Sequence, residues 1–395
     1  MTTALPASHD VDAIDGRGLH EWVTGQRDDL VEDVRTYVEH ETPSDDVALL
    51  ARGLAFLEQW LDARLGPPAA RVEHKSDSYG DVVVLDYGGA GDDVVTLLCH
   101  YDTVWSAGTL HDWPVSLDGD AITGPGVFDM KAGLVQAGWA LRALDATHVP
   151  RPPVRLVLTG DEEIGSPFSR PVIEDACTDT SAVLVFEASA DGALKTQRSG
   201  VGLFDVAVDG VESHAGLDPR AGVSAVDEIA RVVRTLHGVA DLDRGTSVNV
   251  GVLRGGTRPN VVAGQASASI DVRVTSVEEQ HRVDRAMEAL RPHHERAGLS
   301  VTGGWNRPVM ERTAGVAALY ALAHSAAAQL GVDLGEKAVG GASDGNFAAA
   351  LGIPVLDGVG AVGAGAHARH EHATVSGMLE RTAVAATVLA AFARP

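Results

Sequence analysis

Acidic and imidazole side chains occur where several predicted strands end, and these side chains could bind metal ions or transfer protons. The first group is His100-Tyr101-Asp102, which closes an apolar strand predicted over residues 94–100. Side chains two residues apart point to the same face of a strand, so His100 and Asp102 project together. A metal-bound histidine usually donates its other ring N–H to an acceptor such as a carboxylate. The pair therefore predicts a ligand with its orienting partner, although a hydrogen-bonded surface pair has the same spacing.

A glycine-rich turn over residues 124–133 presents Asp129 just before a helix predicted over 130–144. Asp is common at the cap position of a helix, where its carboxylate accepts backbone N–H groups. The same carboxylate offers two oxygens to a metal ion. From this segment alone, the helix cap and the metal ligand are equally compatible with the sequence.

Three consecutive acids, Asp161, Glu162 and Glu163, follow the strand predicted over residues 154–159. Adjacent carboxylates repel each other unless positive charge is nearby, and a solvated acidic loop would relieve that repulsion. A site for two metal ions explains the segment better, because hydrolysis needs one carboxylate that binds metal and another that accepts a proton from water. Glu187 adds an acid at the end of the next predicted strand, 182–187.

Three imidazoles, those of His367, His370 and His372, follow a glycine-containing run near the C-terminus. One of them could complete a metal shell, and we select His367 because it follows the glycines directly. Imidazole and carboxylate ligands suit zinc, and the lack of thiolates among these groups argues against a closed structural zinc site. Cobalt or manganese would accept the same ligands.

These groups need elements that bring them to one edge of a sheet. Alternating helix and strand patterns predict an α/β sheet covered by helices, with the chemistry at the strand ends. The predicted helices are 19–40, 46–65, 130–144, 316–330 and 375–392, and the predicted strands are 82–87, 94–100, 154–159, 182–187 and 354–357.

Between residues 197 and 310 the pattern changes to β-α-β-β-α-β, the order of a ferredoxin-like unit. Its predicted strands are 201–209, 247–253, 261–274 and 299–305, and its predicted helices are 223–236 and 277–296. Ser276 and Glu279 form a capping pair that opens the second helix. This unit is expected as an insertion between the two parts of an α/β domain, residues 1–196 and 311–395.

Composition limits the classes of partner. The 395 residues include 31 Lys and Arg against 55 Asp and Glu, which gives a net charge of −24 that repels nucleic acid and anionic lipid. No segment approaches the roughly 18 apolar residues of a membrane span, and the N-terminus lacks the basic and apolar regions of a secretory signal. Two cysteines, Cys99 and Cys177, fit a reducing compartment. We therefore expect a cytoplasmic protein without nucleic-acid or membrane partners.

Eight motifs, in order along nearly the whole chain, resemble those of the metallopeptidase family that includes glutamate carboxypeptidase, aminoacylase, acetylornithine deacetylase and succinyl-diaminopimelate desuccinylase. They are HYDTV, GPGVFDMKAG, DEEIGS, FEAS, VESHAG, RGGTRPNVV, GGASDGN and GAHARHE. The resemblance implies a zinc-exopeptidase-like mixed sheet flanked by helices, with the inserted unit as the lid and dimerisation domain of a homodimer. It also implies a cis peptide bond between Asp129 and Met130.

The same resemblance implies two Zn²⁺ ions per subunit, with Asp129 as the bridging ligand. His100 and Glu187 would complete the shell of one ion, and Glu163 and His367 that of the other.

Further roles are carried over from the family in the same way. Glu162 would be the general base, and Asp102 would orient the metal-bound His100. His214, in the inserted unit, would reach across the dimer and help to stabilise the oxyanion. The residues implied in substrate binding are Asn260, Arg273, Arg307 and Lys195.

These expectations together predict a hydrolase that cleaves an amide bond next to a free carboxylate. Its substrate would be a small peptide or an N-acyl amino acid, and the reaction would release a C-terminal amino acid, as in glutamate carboxypeptidase. An N-acyl-amino-acid deacylase is the alternative within the same chemistry. From another class, the alternative is a non-catalytic peptide-binding or scaffold protein on the same fold.

Overall fold

The chain folds into two units in the computed structural model, which describes residues 5–393. The first unit runs to Gln197 and includes Arg312–Val339 and the chain from Ser343 onward. The second unit comprises Arg198–Glu311 and Gly340–Ala342. Both boundaries, after residues 197 and 311, lie one residue later in the chain than expected. The segment Gly340–Ala342 was expected in the first unit, not in the second.

Helices and strands follow one another along most of the chain. The helices are α1 (Gly16–Gly25), α2 (Arg27–Val38), α3 (Val47–Leu65), α4 (Thr109–Asp112), α5 (Ala132–Thr147), α6 (Arg170–Ala176), α7 (Ala225–His237), α8 (Val277–Glu288), α9 (Ala314–Gln329), α10 (Gly345–Ala350) and α11 (Val375–Ala391). The strands are β1 (Ala70–His74), β2 (Val82–Tyr87), β3 (Val95–His100), β4 (Ser116–Asp118), β5 (Ala121–Thr123), β6 (Val154–Thr159), β7 (Ala182–Val185), β8 (Leu194–Arg198), β9 (Gly200–Asp209), β10 (Ser247–Gly255), β11 (Gln265–Val274), β12 (Gly298–Arg307), β13 (Glu336–Val339), β14 (Val355–Leu356), β15 (Gly363–Ala364) and β16 (His372–Thr374).

The main sheet of the first unit has the strand order β1-β2-β6-β3-β7-β14. Strands β6, β3, β7 and β14 pair in parallel, whereas β1 and β2 are antiparallel. Every residue of β3 and β7 is buried, as expected for parallel strands covered on both faces. The predicted mixed sheet flanked by helices is therefore confirmed.

Strand register brings the chemical groups to one edge of this sheet. His100, the last residue of β3, is paired with Thr159, the last residue of β6, and Leu98 is paired with Val185, the last residue of β7. The segments that follow these three strands therefore leave the sheet side by side, in the position where α/β folds place their functional groups.

Two long helices of the first unit are buried on nearly all sides. Helices α5 and α11 are apolar around their circumference, which is the pattern of a helix inside a core. The polar atom of the Trp139 ring in α5 is satisfied, because its indole N–H donates to the buried carboxylate of Asp33 at 2.9 Å. No helix within residues 5–393 is long and apolar enough to cross a membrane.

A second, small sheet of the first unit has the order β15-β16-β5-β4, and sequence analysis did not predict it. Its strands have two or three residues each, too few to show a periodic pattern. His372 of β16 is paired with Thr123 of β5. This pairing brings the segment around residue 371 beside the glycine-rich turn that carries Asp129.

The second unit is an antiparallel sheet with the order β10-β11-β9-β12. Numbered within the unit, this order is 2-3-1-4, the order of a ferredoxin-like fold, so the predicted β-α-β-β-α-β unit is confirmed. Alternate residues of β9 are buried under helices and exposed on the other face, including Phe204 and Leu203 respectively.

Candidate metal centre

The candidate centre lies at the carboxyl edge of the main sheet. His100 ends β3, Glu163 lies in a single 3-10 turn after β6, and Glu187 follows β7. Asp129 lies in the irregular turn before α5, and His367 lies in the loop between β15 and β16 with a positive φ of 61°. Five separate segments of the first unit thus contribute one side chain each.

These side chains form two groups that could each hold a metal ion. One group is His100, Asp129 and Glu187, and the other is Asp129, Glu163 and His367, with the candidate ligand atoms in each group within 4.8 Å of one another. Nε2 of His100 lies 3.5 Å from Oε1 of Glu187. Nε2 of His367 lies 3.1 Å from Oε2 of Glu163.

Asp129 belongs to both groups through different oxygens. Its Oδ1 lies 3.4 Å from Nε2 of His100, and its Oδ2 lies 3.3 Å from Nε2 of His367. A carboxylate that offers one oxygen to each side has the arrangement needed to bridge two ions. The peptide bond between Asp129 and Met130 is cis, as the resemblance implied.

The two candidate groups combine three carboxylates with two imidazoles, and the pKa values of these side chains are shifted by burial and by one another. Burial raises the pKa of Asp129, but the close contacts with the imidazoles of His100 and His367 outweigh it and hold that pKa well below its ordinary value. Hydrogen bonds to Asp129 and Glu163 raise the pKa of His367 to about 10. Burial raises the pKa of Glu163 to about 7, although its bond to His367 acts in the opposite direction.

The pKa of His100 is raised, as is that of His367. Burial lowers the pKa of this imidazole, but the neighbouring carboxylates of Asp102, Asp129 and Glu187 raise it well above its ordinary value. The surroundings of both imidazoles therefore favour added positive charge, which divalent cations would supply.

Two orphaned atoms indicate where such cations fit. Nε2 of His100 and Oε1 of Glu163 are buried, and neither has a hydrogen-bond partner within residues 5–393. Buried polar atoms are normally hydrogen-bonded or bound to metal. One orphan lies in each group, and imidazole with carboxylate is a donor set that suits zinc. The residues present therefore fit two metal ions.

Asp102 is placed differently from a simple orienting partner. Nδ1 of His100 lies 3.0 Å from the backbone carbonyl oxygen of Asp102 and 3.5 Å from its Oδ1. The wholly buried carboxylate of Asp102 accepts the backbone N–H groups of Glu162 and Glu163, each at 3.2 Å, and the hydroxyl of Ser44 at 2.8 Å. Asp102 thus fixes the turn that carries two of the predicted functional side chains.

The three consecutive acids have three different surroundings. Asp161 is fully buried, and its Oδ2 accepts the backbone N–H groups of Phe168 and Ser169. Glu163 belongs to a metal-binding group, and Glu162, which is half-buried, belongs to neither group among the described residues. Glu162 is thus adjacent along the chain to a candidate ligand without being one itself.

Sequence analysis missed Glu371, whose buried carboxylate has four donors. Its Oε1 accepts the backbone N–H groups of Phe128 at 2.9 Å and Asp129 at 3.1 Å. Its Oε2 accepts the indole N–H of Trp105 at 2.8 Å and the backbone N–H of Gly126 at 3.1 Å. These bonds fill the acceptor sites of an ionised carboxylate, so Glu371 holds the turn that presents Asp129.

The remaining candidates in the first unit are Lys195 and the three C-terminal histidines. Lys195 lies in β8 and is half-buried, and its charge is one of the smaller influences that lower the pKa of Asp129. His367 is part of a metal-binding group, whereas His370 and His372 are not in any such group within residues 5–393.

The other predicted residues lie in the second unit. His214 is exposed, and its Nδ1 accepts the backbone N–H groups of Gly216 and Leu217, each at 3.1 Å. This places the ring proton on Nε2 and makes that atom a hydrogen-bond donor. The backbone carbonyl of Asn260 accepts the N–H of Ala215, so Asn260 and His214 are neighbours.

The two arginines of the second unit have close polar neighbours. Arg273 makes a two-point contact with Asp271 on the same strand, Nε and Nη2 each donating at 2.8 Å. Arg307, at the end of β12, is buried, and its Nη1 lies 3.4 Å from Oδ1 of Asn306.

Comparison with known proteins decides the family. The family model for peptidase family M20/M25/M40 matches residues 96–391. The chain belongs to this family. It is therefore an enzyme of the M20 metallopeptidase type, as the eight motifs indicated.

Individual M20 relatives cover most or part of the chain. Carboxypeptidase G2 of Pseudomonas sp. (strain RS-16) is 28% identical over 381 residues, which are 94% of this chain and 91% of that protein. Acetylornithine deacetylase of Myxococcus xanthus is 28% identical over 222 residues, 53% of this chain and 57% of that protein. The structure of aminopeptidase PepT from Bacillus cereus ATCC 10987 has a TM-score of 0.73 at 20% identity, covers 93% of this chain and 99% of that one, and shares the fold.

Proposed function

We propose that this M20 enzyme cleaves an amide bond next to a free carboxylate and releases a C-terminal amino acid, as a glutamate carboxypeptidase does. The observation that carries the proposal is the Asp129 carboxylate shared by two ligand groups, with Glu162 adjacent along the chain to the ligand Glu163 and in neither group. The likeness to carboxypeptidase G2 over 94% of the chain supports this substrate class.

Two Zn²⁺ ions are proposed as the cofactors, and Co²⁺ or Mn²⁺ could occupy the same ligands. His100, Asp129 and Glu187 would hold one ion, and Asp129, Glu163 and His367 would hold the other. When bound, such ions lower the pKa of a water molecule and polarise the scissile carbonyl.

The side chains of this chain would handle the protons and the developing charge. Glu162 takes a proton from the attacking water and delivers it to the leaving nitrogen. Asp102 keeps Glu162 in place through the backbone of its turn. His214, as an Nε2–H donor, is proposed to stabilise the oxyanion, and Asn260, Arg273, Arg307 and Lys195 are proposed to bind the substrate.

A second candidate function is N-acyl-amino-acid deacylation. It is supported by the likeness to acetylornithine deacetylase over half of the chain. Both reactions break an amide bond next to a free carboxylate, so the ligands and the base would be the same.

We further propose a cytoplasmic homodimer joined through the second unit. Both cysteines are buried and unpaired, which suits a reducing compartment. Strand β10 is at the edge of the sheet in the second unit and exposes Val252 and Leu253. An edge strand with exposed apolar side chains suits pairing with a second copy of the chain.

The test is hydrolysis of a matched panel by the zinc-loaded enzyme, with the released products identified by mass spectrometry. The panel pairs dipeptides ending in Glu with N-acetyl amino acids and includes C-terminally amidated versions of each. We expect release of the C-terminal amino acid from free-acid substrates, and a large loss with the amides. Preference for N-acetyl amino acids over every dipeptide would establish the deacylase instead, and hydrolysis of none would overturn both.

A further inference from the structure

An arginine near the metal centre is held against two aromatic rings. Cζ of Arg369 lies 5.4 Å from the ring centroid of Trp105 and 5.7 Å from that of Trp113. The two indoles are 5.0 Å apart, centroid to centroid, at an angle of 73°, so they form a corner. Both distances are within the range of cation–π attraction. We call these three side chains the Arg369 corner.

The N–H donors of Arg369 are not used by the part of the chain that the structure describes. Arg369 is exposed, and it has no hydrogen bond or ion pair with any residue in the range 5–393. A guanidinium has five N–H donors in a plane, and contact with aromatic faces leaves those donors available. The geometry that matches them is a carboxylate, which accepts two parallel N–H bonds.

The Arg369 corner is joined to the metal centre by the chain and by hydrogen bonds. Arg369 is two residues after the ligand candidate His367. The indole N–H of Trp105 donates to Glu371, and the other oxygen of Glu371 accepts the N–H of Asp129. The aromatic support of Arg369 and the turn that presents Asp129 are therefore held by the same carboxylate.

A cation at this place would meet an acidic substrate that the overall charge of −24 repels. Contact with the two indoles uses the positive charge of Arg369 but none of its five N–H donors, which remain available to a ligand. We propose that Arg369 determines specificity by binding a second carboxylate of the substrate, in addition to the carboxylate next to the scissile amide. This inference rests on the proposed function.

The second carboxylate could belong to the released amino acid or to the acyl group, and two pairs of substrates separate these sources. N-acetyl-glutamate is compared with N-acetyl-glutamine, and N-succinyl-leucine with its succinamoyl counterpart. In one of these two substrate pairs, the kcat/KM of the wild type should be about 10- to 100-fold higher for the acid than for the amide. This is the fold-change expected from one charged hydrogen-bonded pair. In Arg369→Gln this ratio should fall close to one, and in Arg369→Lys it should be intermediate.

Arg52→Gln is the matched control, because Arg52 is an exposed arginine on α3 of the same unit and should keep the wild-type ratio. A calorimetric pair separates failure of this inference from failure of the proposed function. The zinc-loaded wild type should bind glutarate about 10- to 100-fold more tightly than its monoamide, and Arg369→Gln should lose this difference.

If the enzyme hydrolyses none of the substrates, the proposed function fails, and calorimetry still decides the role of Arg369. The inference is overturned if Arg369→Gln keeps the preference for the acid. It is also overturned if the wild type prefers the acid neither in hydrolysis nor in binding. Arg369 would then only cover the two indoles.

Discussion

Glu162 and Glu163 are adjacent in the sequence, yet only Glu163 belongs to a metal-binding group within the described residues. We therefore expect Glu162→Gln to keep both metal ions and to lower kcat by about 10²- to 10⁴-fold, the usual effect of removing a general base. Metal content by elemental analysis, together with kcat on a free-acid dipeptide, tests this. Activity close to that of the wild type would assign the proton transfer to another group.

Glu371 is expected to matter through the backbone turn that it holds. In Glu371→Gln an amide N–H₂ replaces one acceptor oxygen, so two of the four donors lose their partner. The free energy of unfolding should fall by about 3 kcal/mol or more, because hydrogen bonds to charged groups are worth roughly 1.5–3 kcal/mol each. Denaturant unfolding measures this loss, and competition with a chelator measures the expected weakening of metal binding.

Glu21→Gln, on the exposed face of α1, is the control for Glu371→Gln and should change neither quantity. A Glu371→Gln protein that unfolds more easily but binds metal as tightly as the wild type would show that Glu371 stabilises the fold without positioning Asp129.

At the scale of residues, the sequence predicts ligands better than it predicts their supports. His100 and Glu187 can be selected because they are chemically capable side chains where apolar strands end. Glu371 cannot be selected in this way, because its donors are mainly backbone N–H groups of residues 242 to 245 positions away. Every residue except proline has such an N–H, so no residue type marks the contact.

At the scale of elements, the predictions fail where the backbone turns without changing its apolar pattern. The single helix predicted over 19–40 is two helices, α1 and α2, which meet at Gln26. The helix predicted to start at residue 130 starts at Ala132, because the preceding residues form the irregular turn that presents Asp129. The helix predicted over 277–296 ends at Glu288, ahead of Pro292, which does not fit inside a helix.

The Ser276 half of the predicted capping pair of α8 is present, whereas the carboxylate of Glu279 binds other groups and connects this element to pH. Oγ of Ser276 accepts the N–H of Glu279, and the carboxylate of Glu279 accepts bonds from Arg282 and Thr246. The bond from Arg282 lowers the pKa of Glu279 to about 2, although burial acts in the opposite direction. Because its pKa is depressed in the folded state, Glu279 stabilises the fold above its ordinary pKa of 4.5, and this stabilisation is lost as pH falls toward 2.

We therefore expect Glu279→Gln to be less stable than the wild type at pH 7 and the difference to shrink between pH 4.5 and about 2. Denaturant unfolding at pH 7, 4 and 3 measures it. Glu288→Gln, an exposed position at the end of the same helix, should show no such difference at any of these pH values. A difference for Glu279→Gln that stays constant with pH would mean that its charge is not the cause.

At the scale of the whole molecule, the sequence predicts the inserted unit better than it predicts the strand order of the main sheet. The change to β-α-β-β-α-β near residue 197 is a local pattern, and it predicts an inserted unit without any structure. The order β1-β2-β6-β3-β7-β14 is not a local pattern, because it pairs strands as far apart as β7 and β14. For this sheet the alternation of helices and strands predicted the α/β class, and the resemblance carried by the eight motifs implied the mixed sheet.

The proposed homodimer gives a prediction that only the whole molecule can test. If His214 acts on the partner's centre, His214→Ala and Asp129→Ala should each be folded and nearly inactive, because each lacks a different part of the site. When the two are mixed and allowed to exchange subunits, half of the dimers should be mixed, and each mixed dimer should have one complete site. Recovery of up to about one quarter of wild-type activity is then expected, since isologous dimers carry two equivalent sites.

Differently tagged subunits show whether exchange has occurred, and circular dichroism shows whether both variants are folded. Exchange without recovered activity would mean that His214 serves its own subunit or has no catalytic role, whereas recovery would establish both the dimer and the origin of its oxyanion donor.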